Sequence, residues 1–216
     1  PNLKNMEYMF KWCNELNEID VSKFDTKNVE STAGLFYQCS SLLELDISTM
    51  DLFNNKDMSY MFSGCHLLSE LKFGKINTQK VENMTNLFTQ CSMLNSIDLS
   101  NFDTSNVEEF DYMFSGCSKL ASLNLENFNL SMATKLNNMF SGCNKIIALN
   151  IKKCNINNNS EINLENIFGH FLWGFRNQEI LADIKIKAYQ KVNSIFDMNE
   201  NSIISLQNKK KNLDRS

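Results

Sequence analysis

Apolar residues return along this chain at two alternating periods. Val107, Phe110, Met113, Phe114 and Cys117 recur at i, i+3, i+6, i+7 and i+10, the stripe of an amphipathic helix with one buried face. Past the cysteine the spacing changes. Leu120, Leu123 and Leu125 read L-x-x-L-x-L, as do Leu42, Leu45 and Ile47, and again Leu94, Ile97 and Leu99, which is the pattern of a short strand with one face inward. Each unit is therefore expected to hold a helical half followed by a strand.

The unit repeats. Cys13, Cys39, Cys65, Cys91, Cys117 and Cys143 stand 26 residues apart, and each follows a phenylalanine by three positions: Phe10, Phe36, Phe62, Phe88, Phe114 and Phe140. Met9, Leu35, Met61, Leu87, Met113 and Met139 form a second column, and Met6, Met58, Met84, Phe110 and Leu136 a third, broken only by Thr32. Between strand and helix lies a polar turn, Phe102-Asp103-Thr104-Ser105-Asn106, echoed by Phe24-Asp25-Thr26-Lys27-Asn28. Its Asp, Thr and Ser can accept from unpaired amides at the start of a helix, and Ser105 with Glu108 would form a capping box. Gly64, Gly116 and Gly142 would stop the helix in the left-handed conformation, with Gln38 and Gln90 in their place elsewhere.

A unit of this size cannot enclose a core alone. Neighbours must stack and bury the leucine, phenylalanine and cysteine columns between them. The fold class predicted is α/β: a right-handed leucine-rich-repeat-like solenoid with a parallel β-sheet on one face and short helices on the other. With strands about 4.8 Å apart, six repeats extend roughly 25 to 30 Å along the stack. The stack also decides the cysteine chemistry. Six thiols in one interior column act as small hydrophobes, and side chains that point in parallel do not meet as disulfides. A zinc site would need paired C-x-x-C or closely spaced histidines, and neither occurs.

Segments such as Leu99-Ser100-Asn101-Phe102-Asp103-Thr104-Ser105-Asn106-Val107 and Tyr112-Met113-Phe114-Ser115-Gly116-Cys117 resemble the BspA-like surface leucine-rich repeats and the related repeat of mycoplasma lipoproteins. The resemblance covers about residues 1–154. It implies a long secreted or cell-surface protein that mediates adhesion, and it carries no catalytic residues.

Composition narrows the reading further. A net charge of −4 gives no reason to expect nucleic acid as a partner, and no apolar run approaches the ~20 residues that span a bilayer. The chain begins at Pro1 inside a repeat and reads as part of a longer protein. His66 and His170 are the only histidines, each without a nucleophile motif nearby, and there is no phosphate-binding glycine loop. No enzymatic activity and no cofactor are expected.

What remains is a binding surface. With Leu45 and Ile47 inward, Glu44, Asp46 and Ser48 face outward. The matching positions are Glu18, Asp20 and Ser22; Glu70, Lys72 and Gly74; Ser96, Asp98 and Ser100; Ser122, Asn124 and Glu126; and Ala148, Asn150 and Lys152. Stacking Glu18, Glu44 and Glu70 sets like charges side by side, which calls for solvent screening, a basic partner segment or a weakly held divalent cation. A flat ladder seldom supplies the convergent oxygens calcium needs. No aromatic residue lies on this face.

Past Cys154, which takes the column of Phe24, Phe102 and Phe128, the strict period relaxes. Residues 155–207 read as divergent repeats that close the stack, and 208–216 as a polar tail. One lengthened connection, 172–178, carries Trp173 and Phe175, which serve either as the cap's own core or as exposed anchors for a partner. The function expected is a non-catalytic protein-interaction module at the cell surface or secreted. The alternative is a structural subunit of a larger assembly, such as a virion or an intracellular complex.

Overall fold

The computed structural model describes residues 2–146, 148–150, 155, 156 and 167. Within them the chain forms a stack of parallel 26-residue rungs. Strand β1 (Glu44–Asp46) pairs with β2 (Glu70–Lys72), β3 (Ser122–Asn124) with β5 (Ala148–Asn150), and β4 (Asn129–Leu130) with β6 (Asn155–Ile156), all in parallel. The register is the sequence period: Leu45 opposes Leu71 and Leu123 opposes Leu149. Single bridges carry it through Asn5, Ser31, Asp57, Asn83, Glu109 and Lys135. Two rungs have no strand at the matching place. They are the two with isoleucine at its centre, Ile19 and Ile97, and both side chains are only half-buried, whereas Leu45, Leu71 and Leu123 are buried.

The expected helices are absent from the described residues, and the reason lies in the backbone amides. In the half-rung from Met6 to Cys13, the amides of Met6, Tyr8, Phe10 and Trp12 donate to Ser31, Ala33, Leu35 and Tyr37 of the next rung. The alternate amides, of Met9, Lys11 and Cys13, close short turns onto the carbonyls three residues back. A chain of turns thus satisfies the amides that a helix would turn inward on itself. The geometry requires a left-handed residue twice per rung. Tyr8 and Trp12 (φ 54° and 63°), Gly34 and Gln38 (60° and 61°), and Tyr60 and Gly64 (58° and 79°) take it, and later rungs repeat it. Because each turn advances three residues, apolar side chains still return inward at helix-like spacing. The glycines do adopt the left-handed conformation, but they close turns and not helices.

The polar turn is corrected in the same way. No helix follows it, and Ser105 makes no capping box. Its amide instead donates to Asp103 Oδ1 at 3.0 Å. Thr104 Oγ1 reaches across the stack, donating to the carbonyl of Asn129 at 3.1 Å and accepting from its amide at 2.8 Å. Thr78 does the same with Asp103.

The predicted core columns are in place. Phe36, Phe62, Phe88, Phe114 and Phe140 are buried, and consecutive rings lie nearly parallel with centroids 5.5 to 6.0 Å apart, the offset stack that aromatic quadrupoles favour. The six described cysteines are free, five of them buried, while Cys13 on the first rung is exposed. Each buried thiol also donates to a phenylalanine carbonyl of the preceding rung: Cys39 to Phe10, Cys65 to Phe36, Cys91 to Phe62, Cys117 to Phe88 and Cys143 to Phe114, at 3.0 to 3.2 Å. Burial pushes Cys39 up to about 11 and Cys143 up to about 12, and raises the three between them as well.

Two of the buried polar residues stand in otherwise apolar columns, and they find each other. Asn55 stands where Val29, Val81 and Val107 line the neighbouring rungs, and Thr32 stands in the methionine column. Both are fully buried, and Asn55 Nδ2 donates to Thr32 Oγ1 at 3.2 Å, while Asn55 Oδ1 has no protein partner. The second break therefore compensates the first only in part.

Two outcomes follow from this packing. Native alkylation is expected to label Cys13 and spare Cys39 through Cys143 until the fold opens, read by peptide mass spectrometry. The buried thiols' folded pKa values are raised, so their contribution is complete below pH 9 and is lost as pH climbs toward 11 to 12. Urea midpoints should therefore drop steeply above pH 9, and Cys91→Val should make that drop shallower. For the polar pair, Asn55→Val alone strands Thr32 and should destabilise. The double substitution Thr32→Val with Asn55→Val should raise stability by about 1 kcal/mol, as measured by chemical denaturation.

Candidate interaction surface

The outward strand positions converge into one shallow depression. A cavity of about 550 Å³ is lined by Glu18, Ile19, Asp20, Glu44, Leu45, Asp46, Glu70 and Lys72. Six of the residues singled out in the sequence are thus brought together. The parallel register places Glu44 beside Glu70 and Asp46 beside Lys72, and a hydrogen bond from the Leu43 amide to the carbonyl of Asn17 ties the first rung alongside. Asp98 lies further along, in a second depression of about 440 Å³ shared with Asp46, Ser48, Lys72, Gly74 and Lys75. Trp173, Phe175, Cys154 and His170 lie outside the described residues, as does nearly all of the expected C-terminal closure. His66 is half-buried with Nδ1 3.0 Å from the carbonyl of Gln90, a contact that requires the proton on that nitrogen.

The carboxylates of this face divide into two kinds. Asp20, Asp46 and Asp98 each accept from the amide two residues on, that of Ser22, Ser48 or Ser100, at 2.8 to 2.9 Å. They close the turn that ends the strand. Hydrogen bonds from the serine hydroxyl and amide hold Asp20 and Asp46 below the usual carboxylate range, and the Ser100 amide and hydroxyl do the same for Asp98. Asn124 makes the identical turn, accepting from Glu126 at 3.1 Å, so the turn needs the oxygen and not the charge. Glu18 and Glu44 make no such contact and point to solvent. The sequence alone left these two roles undivided, although the recurrent Asp-x-Ser was the signal for the first.

Lys72 is the exception in its column. It cannot accept an amide, and the rung turns through Gly74 instead, at φ 59°, where a Cβ would come 2.6 Å from that of Ser48. Freed from the turn, Lys72 Nζ pairs with Glu70 at 2.8 Å, and that carboxylate, by hydrogen bond and charge, raises the lysine's pKa. The repulsion foreseen along Glu18, Glu44 and Glu70 is thereby relieved at one end, and the net negative charge of the groove is left on Glu18, Asp20, Glu44 and Asp46. Among the described residues, no three His, Cys, Asp or Glu side chains are grouped to hold a metal ion.

A second surface group escaped the helical reading altogether. Tyr8, Lys11, Trp12 and Tyr37 cluster in the turn half of the first two rungs. On a helix Tyr8, Lys11 and Trp12 would share one face as well, at i, i+3 and i+4; what the sequence reading did not bring to them is Tyr37 of the next rung.

Asp46→Asn should leave the urea midpoint unchanged while Asp46→Ala lowers it, because asparagine preserves the turn acceptor and alanine removes it.

The comparisons with known proteins bear on the repeat. The family described as "Mycoplasma protein of unknown function, DUF285" matches residues 1–71 and 56–173. No curated protein matches the chain. Among solved structures, the crystal structure of the T. pallidum leucine-rich repeat protein is similar at 20% identity and a TM-score of 0.36, the match covering 60% of this chain and 66% of that one. Among the described residues, no helix is long and apolar enough to cross a membrane. With its 26-residue period matched over more than half its length, the chain belongs to the mycoplasma DUF285 repeat family.

Proposed function

We propose that the chain is a non-enzymatic protein-interaction module, folded as a right-handed leucine-rich-repeat-like solenoid, that receives a basic segment of a partner protein on its strand face. The observation that carries this reading is the pair Glu18 and Glu44, exposed carboxylates on adjacent rungs of the 550 Å³ depression that close no turn and form no ion pair among the described residues, Lys72 feeling the charge of Glu44 but pairing with Glu70. An extended partner backbone running along the stack would meet one carboxylate per rung, about 4.8 Å apart, a shorter step than the roughly 6.7 Å between its own same-face side chains, and flexible lysine stems span the difference. Membership of a mycoplasma repeat family and the resemblance to BspA-like repeats support a surface or secreted adhesin-type protein. The competing reading, a scaffold subunit of a larger assembly, is favoured by the continuous phenylalanine and thiol columns, which make the stack a rigid rod.

Binding to a lysine-rich peptide tests the first reading. Affinity should fall with salt, and Glu18→Gln with Glu44→Gln should weaken binding about fivefold to tenfold and flatten the salt dependence. If binding and its salt slope are unchanged, the acidic face is not the contact. Absence of peptide binding at low salt would favour the scaffold.

A further inference from the structure

Three large apolar side chains stand in the open on consecutive rungs, each with a described rung on either side: Leu43 at 51% exposure, Leu67 at 45% and Met93 at 41%. They flank the buried column of Leu42, Leu68 and Leu94, and alternation along a locally extended chain turns the residues on either side of that column outward together. Leu67 and Met93 hold the same position one rung apart. Leu43 meets the next rung at Ser69, whose amide and hydroxyl both donate to the Leu43 carbonyl, and Ser69 lies two residues past Leu67. The three thus form one oblique apolar ridge.

The stack does not ask for them. At the position of Leu43 other rungs carry Asn17, Ser69, Asn95 and Ala121, and at that of Leu67 and Met93 they carry Glu15, Ser41, Lys119 and Lys145. The register passes through all of these rungs unchanged. Single apolar side chains on a surface are ordinary, but three contiguous ones, at positions where polar residues serve the fold equally well, mark a contact. The surroundings say of what kind. Leu43 is followed directly by Glu44, so the ridge begins beside the acidic depression. Past Met93 the column turns basic, with Lys119 and Lys145 both exposed. Along the stack the surface therefore reads acidic, apolar, basic.

We propose that the ridge of Leu43, Leu67 and Met93 takes the apolar half of the partner segment whose lysines meet Glu18 and Glu44, an inference that rests on the reading of the acidic face. The segment then carries lysines at one end and aliphatic side chains at the other, in that order along the stack. From Glu18 to Met93 the surface crosses three rung steps, about 14 Å, which roughly four or five residues of extended chain span. Charge fixes the direction, since Glu44 draws the lysine end and Lys119 beyond the ridge repels it. Apolar burial supplies affinity that salt does not screen, and the carboxylates supply the part that it does.

Calorimetry with two peptides tests this: one of lysines followed by leucines, and the same peptide with serines in place of the leucines. The leucine peptide should bind about tenfold more tightly, and that ratio should hold while both affinities fall with salt. Leu67→Ser with Met93→Ser should erase the ratio and leave the serine peptide's affinity and salt slope unchanged, Ser41 showing that the position accepts serine. Glu18→Gln with Glu44→Gln should weaken both peptides alike. Salt-dependent binding with no preference for leucine, or a preference that survives Leu67→Ser with Met93→Ser, would overturn the ridge and leave the acidic face standing. Salt-independent binding, or none, would overturn both. Self-association without peptide, abolished by the same double substitution, would assign the ridge to a second copy of the chain and overturn the proposal as well.

Discussion

Every second amide in the turn half of a rung donates to the next rung, and this one constraint organises the rest of the molecule. A helix keeps its hydrogen bonds to itself and can slide against its neighbour, but these amides have no partner except at the 26-residue register. A slip by one residue would unpair them, and unpaired buried amides are costly. Once the register is fixed, like must stack on like. The phenylalanine rings overlie one another, each thiol finds a phenylalanine carbonyl, and Thr78 and Thr104 reach the same backbone groups one rung on. Two polar exceptions on neighbouring rungs then meet, as Asn55 donates to Thr32, although Asn55 Oδ1 and the buried Thr26 Oγ1 are left without a protein partner.

The period and the core were legible in the residues, because burial leaves a trace in every column. Phe36, Met58, Leu68 and Cys91 are as buried as their spacing requires, and the outward alternation of Glu44 and Asp46 around Leu45 follows from strand geometry alone. The helix was not legible as an error. Turns that close three residues back return side chains inward nearly as a helix does, and the left-handed positions carry Tyr, Trp, Gln, Asn and Gly by turns, so no single residue type announces them. The candidate groove was legible in its membership but not in its division of labour. Whether Asp46 is free or spoken for depends on the amide of Ser48, which pattern reading assigns to no one. Lys72 and Glu70 sit on the same face of one strand, and their pairing became visible only with Gly74 freeing the lysine from the turn.

The two surfaces differ in what they demand of the fold. The acidic depression is built from positions whose side chains the stack hardly senses. The aromatic group sits at positions where every described rung is left-handed, and Tyr8 in addition requires that Gly34 opposite it carry no Cβ. One is an easily altered surface laid over the stack, and the other is tied to a close contact between neighbouring rungs.

Asn124 closes the same turn as Asp20, Asp46 and Asp98. Charge at that column is therefore a variable the stack can change at no cost in geometry, one unit per rung. A protein made of such rungs can move its negative patch along its length, erase it or extend it by exchanging a single carboxylate for an amide. Relatives with the same skeleton are then free to diverge in the partners they attract, while the columns that hold the rungs together stay silent about the difference.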